Sequence, residues 1–117
     1  MLLTADPSLT ATIPSDPQLS ELPELSAAGY ARQTVTWSSA ATPTNGLSQI
    51  ANSNLVTFGP FTAPSGSGSA TTFGALVNVG SGTTGEVFAV WKWDNSVLAP
   101  QNQSITVPIG NLIMTLQ

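Results

Sequence analysis

The chain is 117 residues long, 41% hydrophobic and only 7% charged, carries a formal net charge of −4, and contains neither cysteine nor histidine. That length holds one domain with a buried core and needs no disulfide or metal staple. The composition excludes thiol and imidazole chemistry, and it leaves Arg32 and Lys92 as the only cationic side chains, too few to track a run of phosphates.

From Gln33 to Gly85 no side chain is ionisable. Solubility therefore rests on hydroxyls and amides, and about a quarter of the chain is Ser or Thr. A polar, Thr-rich, weakly charged surface suits a β protein that lives packed against other protein. The lack of cysteine fits folding in a reducing compartment. Apolar runs are far shorter than a bilayer crossing requires, and no positive segment precedes an apolar one at the start of the chain. Neither a membrane span nor a signal peptide is expected. Nucleic acid, membrane, metal and cofactor are all absent from the expected partners.

In chain order, Met1 to Ala5 predicts a short strand. Residues 6–28 follow as an extended proline-rich arm or loop, because Pro7, Pro14, Pro17 and Pro23 each remove a backbone donor and bias the preceding residue away from helix. Ser20 to Leu25 has room for one capped turn at most. Ala31 to Trp37 alternates, with Val35 and Trp37 on one face and Thr34 and Thr36 on the other, which predicts a half-buried strand. Asn45-Gly46 marks a tight turn.

Leu55 to Phe61 sets Val56 and Phe58 against Leu55 and Thr57, with Gly59-Pro60 breaking or bulging the strand. Ala63 to Ala70 reads as a flexible loop. Thr71 to Val79 puts Phe73, Ala75, Val77 and Val79 on one face, and Gly80 to Gly85 is a second glycine-rich turn. Glu86 to Trp93 is apolar on nearly both faces, Val87, Ala89, Trp91 and Trp93 against Phe88, Val90 and Lys92, which predicts a central strand. Ser104 to Val107 and Asn111 to Leu116 close the chain around Pro108-Ile109-Gly110, with Leu112, Met114 and Leu116 facing inward. The sum is an all-β fold, a single antiparallel β-sandwich or jelly-roll-like barrel over residues 1–117.

Candidate chemistry is thin. Lys92 points away from both flanking indoles, as a solvated strand residue would. Four of the six acids lie in the proline-rich arm, and Glu86 and Asp94 stand some 25 Å apart by strand rise, too far to act as a pair. Asp94-Asn95-Ser96 lacks the further oxygens of a calcium loop and reads as an Asx turn. No catalytic, metal or cofactor residue is assigned. The residues expected to touch a partner are the arm's apolar anchors Leu9, Ile13, Leu19, Leu22 and Leu25, with Tyr30 and Arg32 beyond them. Tyr30 and Arg32 share one face, where they either anchor a partner or, through Arg32, pair with an acid of the arm and pin it to the sheet.

Gly29-Tyr30-Ala31-Arg32-Gln33-Thr34-Val35-Thr36-Trp37 resembles a "GYARQ" segment of small tailed-bacteriophage virion proteins of the decoration or tail-fibre-like kind. Leu2 to Pro7, Asn54 to Phe61 and Val107 to Leu116 are similar, in the same order, to further segments of that family. The resemblance implies a non-enzymatic, β-rich virion component, folded in a bacterial cytoplasm. Together with the uncharged body and the long proline-rich arm, it points first to a homo-oligomeric capsid decoration or cement protein whose partners are the major capsid protein or other virion proteins. The alternative is a tail, neck or tail-fibre-associated subunit, and a more remote one is a carbohydrate-binding module using Trp37, Trp91 or Trp93. Similar proteins carry residues before the first strand, so a short first strand here leaves a sheet edge open to a partner strand.

Overall fold

The structure, a computed structural model, describes residues 1–7, 19–39, 48–63, 70–79 and 85–116. Leu9, Ile13, the Asn45-Gly46 turn, residues 64–69 of the expected flexible loop and residues 80–84 of the second glycine-rich turn lie outside the described residues. The strands are β1 (Leu2–Leu3), β2 (Ser48–Ala51), β3 (Val56–Phe58), β4 (Ala70–Val79), β5 (Gly85–Leu98), β6 (Ile105–Val107) and β7 (Ile113–Leu116). All their ladders are antiparallel. They form a three-stranded sheet in the order β1-β4-β5 and two pairs, β2-β7 and β3-β6. The fold is all-β, with a short 3-10 turn at Leu19–Glu21.

Successive side chains of a strand point to opposite faces, and two leucines of β1 use this to build two cores. Leu2 joins Val56, Phe58, Phe61, Ile105 and Val107 in one cluster, while Leu3 joins Met1, Leu19, Leu22 and Ala75 in the other. Both leucines are 0% exposed, and each contributes about 2 kcal/mol by burial. The first core lies between the three-stranded sheet and β3-β6. The second is closed by Leu19 and Leu22 folding over the opposite face.

The sheet edge expected to be open at β1 is covered. Leu3 bridges Glu24, the Thr4 amide donates to the Pro23 carbonyl at 2.8 Å, and the Leu25 amide donates to the Leu2 carbonyl at 2.9 Å. Residues 23–25 thus act as a surrogate strand. Among the described residues the free edge of this sheet belongs to β5, which pairs only with β4. That reverses the expectation of a central β5: β4 is central, and Phe88 and Val90 of β5 are 63% and 41% exposed. Exposure does alternate along β5, but the register skips Phe88 between Leu76↔Ala89 and Val77↔Val87. The bulge sends Val87 to the second core, while Trp93 packs on the first.

Ala31 to Trp37 also departs from expectation. Val35 and Trp37 are half-buried and Thr34 and Thr36 exposed, as the alternation requires, yet no ladder forms beyond a bridge between Trp37 and Asn52. The physical reason is Asn54. Its Oδ1 accepts from the Thr36 amide at 2.9 Å and its Nδ2 donates to the Thr34 carbonyl at 3.0 Å, so a side-chain amide replaces the partner strand. Asn52 does the same work inside. It is 1% exposed, donates to the carbonyls of Asn54 and Pro108, and accepts from the Leu112 amide at 2.9 Å.

Two glycines are required by close approach. Gly74 faces Trp91 across the ladder, and a Cβ there would come within 2.2 Å of the indole Cζ2. Gly29 has φ +88°, with the Pro60 carbonyl oxygen 2.4 Å from where its Cβ would be. Replacing Asn52 by Ala strands one buried amide and two carbonyls, and the expected loss is about 3 kcal/mol. Urea unfolding of the Asn52→Ala chain measures it; a loss below about 1 kcal/mol would show that water takes over the amide's role.

Candidate functional site

The densest polar cluster joins the arm, the first strand and the segment after Gly29. The Tyr30 hydroxyl accepts from the Leu2 amide at 3.0 Å and donates to Glu24 Oε1 at 2.9 Å. Arg32 closes on the same carboxylate with two bonds, Nε to Oε1 at 2.9 Å and Nη2 to Oε2 at 2.6 Å. Burial works against the Glu24 carboxylate, but the hydrogen bonds from Arg32 and Tyr30 and the guanidinium charge outweigh it and hold its pKa below the ordinary value of 4.5. Burial pushes the Tyr30 hydroxyl well up, and its bond to Glu24 adds to the effect. The Arg32 guanidinium is raised chiefly by its bonds to Glu24.

The Tyr30 hydroxyl and both Glu24 carboxylate oxygens are committed within the cluster. A neutral phenol, a fixed guanidinium and a stabilised carboxylate make a clamp that ties Glu24 to β1. The ring of Tyr30 also stacks on Phe58 with centroids 6.0 Å apart, which joins the clamp to the first core.

The expected partner contacts are placed unevenly. Leu19, Leu22 and Leu25 are 1%, 6% and 2% exposed, packed into the chain's own two cores. Tyr30 and Arg32 are brought together by Glu24. Of the two roles open to Arg32, the geometry realises the pairing with an acid of the arm. Asn52 went unremarked in the sequence, and Asn54 entered only as the start of a family-like segment; their signal was two amides flanking one serine just before a strand.

Two cavities remain, each of about 470 Å³. The first is an apolar cleft between β4-β5 and the Gln33 to Trp37 segment, with Phe88 and Trp91 on one wall and Val35, Trp37 and Phe58 on the other. The second lies beside β5 and is bordered by Trp91, Lys92, Trp93 and Asp94. The two indoles meet edge to face, 5.8 Å between centroids, and the Nε1 atoms of both are buried without a hydrogen-bond partner. Among the described residues no three metal-ligating side chains cluster, and no helix is long and apolar enough to cross a membrane.

The model of a protein family described as podophage GP4 fiber I protein gp80 matches residues 2–115. The chain belongs to that family. No curated protein and no solved structure matches it. This member of the fiber I family is therefore a phage virion structural protein with an all-β fold. The matched span takes in the Gly29 to Trp37 segment, whose Tyr30 and Arg32 build the clamp.

The clamp makes stability depend on pH. Because the folded-state pKa of Glu24 is lowered, the native state binds fewer protons than the unfolded chain near that pKa, and stability falls as pH falls. The contribution is complete above the ordinary value of 4.5 and is lost as pH drops through the folded-state value. Glu24→Gln is expected to cost about 2 kcal/mol at neutral pH. Urea titrations between about pH 6 and pH 3 should show a steeper acid loss in the native chain than in the variant; parallel curves would mean that Glu24 is not the titrating group.

Proposed function

We propose that this fiber I family member is a tail-, neck- or fibre-associated structural subunit of a podophage particle, acting through protein-protein contacts alone. The observation that carries this is the family match over residues 2–115 to a protein described as a fiber component. It favours the fibre-associated reading over the capsid decoration or cement reading that the resemblance first suggested. The physical character of the chain agrees. Its ionic cluster is closed on itself, its body is neutral from Gln33 to Gly85, and its exposed features are strand edges and apolar side chains rather than reactive groups.

A structural subunit with so few charges attaches by shape, strand pairing and apolar contact. Asymmetric cryo-EM reconstruction of particles, with the chain carrying a small electron-dense tag, is expected to place it on fibres at the tail or neck. Density repeating over the capsid lattice instead would return the decoration reading and reject this one.

A further inference from the structure

The second cavity has a property that a surface dimple lacks. Trp91, Lys92, Trp93 and Asp94 are consecutive residues, and all four border it. Neighbouring side chains on a strand point to opposite faces, so a space touched by four in a row abuts the strand's edge. The rest of the lining repeats the pattern, with the consecutive residues Thr106, Val107 and Pro108 at β6, and is completed by Asn111, Leu112 and Ile113 leading into β7. Among the described residues β5 carries a ladder only to β4, and β6 only to β3. Two unpaired strand edges therefore flank one slot.

The same stretch of β5 is under-used. The register on β4 jumps from Phe73↔Lys92 to Thr71↔Val97, so Trp93 to Ser96 have no Cα partner there. Trp91 and Trp93 each keep a buried indole N–H without an acceptor. Such donors are costly to bury alone; the Trp91 indole lies over Gly74 of β4, and both N–H groups are enclosed by the chain itself. Lys92 and Asp94 are exposed on the slot's rim, and neither forms an ion pair among the described residues.

We propose that this slot receives a single extended segment of a different virion protein, which pairs with β5 and joins the β1-β4-β5 and β6-β3 sheets into one. The flanking strands and the charges select the occupant. A second copy would offer its β5 with β4 already attached, two strands wide, where the slot is flanked on both sides. Its described extended segments are spent on its own body, residues 23–25 on β1 and residues 36–38 on residues 51–53. Its cationic side chains are Arg32, held by Glu24, and Lys92 itself. The segment that fits presents an acid opposite Lys92 and a base opposite Asp94, two positions apart, with a side chain between them facing Trp93. This site rests on the reading of the chain as a virion subunit and names what that subunit holds.

The chain has no cysteine, so Asn95→Cys gives a unique attachment point for a thiol-linked photo-crosslinker beside the slot. Irradiated particles are expected to yield an adduct between the chain and a different virion protein, mapped by mass spectrometry to an extended segment with that charge pair. Lys92→Glu and Asp94→Lys are each expected to lower incorporation into particles about tenfold, because a like charge replaces a complementary one. Glu86→Gln, at the far end of β5, leaves incorporation unchanged. Unfolding midpoints of the free variants, matched to the native chain, exclude misfolding as the cause. An adduct with a second copy, no adduct from particles that contain the chain, or full incorporation of both reversals overturns the proposal. Absence of the native chain from particles overturns the virion reading beneath it.

Discussion

One carboxylate organises this protein. Glu24 receives Arg32 through two bonds and Tyr30 through one, and Tyr30 in turn accepts the Leu2 amide. A two-residue strand has little stability of its own, because a single short ladder does not offset the entropy of fixing it. β1 is held in the sheet on one side by β4 and on the other by residues 23–25, and the clamp is what holds those residues there. Without it Leu2 and Leu3 would lose their placement, and with them both cores, since one leucine anchors each. The ion pair is only half-buried, and the desolvation it does incur is answered by hydrogen bonds on both carboxylate oxygens.

The three-stranded sheet is finished on one edge and unfinished on the other. At β1 the surrogate strand covers the backbone groups. At β5 a bulge at Phe88 and a broken register after Lys92 interrupt the edge. Such irregularities are how natural sheets discourage indiscriminate edge-to-edge pairing. Phe88, Val90 and Leu98 of this edge strand stay exposed, while Trp91 to Asp94 border a cavity shared with β6 and β7. The irregularities thus fall on the strand whose apolar side chains are least covered.

Much of the fold could be read in the residues because exposure follows alternation. Val56 and Phe58 against Leu55, and Leu112 and Met114 against Ile113, fall on the faces that a period of two assigns. What alternation cannot supply is pairing. β5 was expected at the centre because both faces are apolar, but apolar faces report burial only when neighbours exist to supply it, and on one edge this sheet has none. Val35 and Trp37 show the reverse case, a strand-like pattern whose backbone is satisfied by Asn54 instead of a ladder. The partner-contact leucines of the arm were chosen for being apolar in an extended segment, and Leu19, Leu22 and Leu25 are consumed by the chain's own cores. The Arg32 pairing was within reach because two cations faced six acids; which acid it takes depends on the path of the chain from Pro23 to Tyr30.

Scarcity of charge gives position a meaning it lacks in an ordinary domain. In a chain with a quarter of its residues charged, a lysine and an aspartate on a strand's rim would be a solvated face and nothing more. Here the charged side chains are so few that their placement divides by role. Glu24 and Arg32 are joined within the chain to build the body, and Lys92 and Asp94 stand beside two indoles whose N–H groups lack acceptors. Two unmatched donors are worth about 1–3 kcal/mol each in lost stability, a large fraction of what a domain of this size has to spare. The first strand is held by a satisfied clamp, whereas the long β5 keeps two enclosed donors without acceptors, so the cost falls on the strand that carries the rim charges and not on the one that anchors both cores.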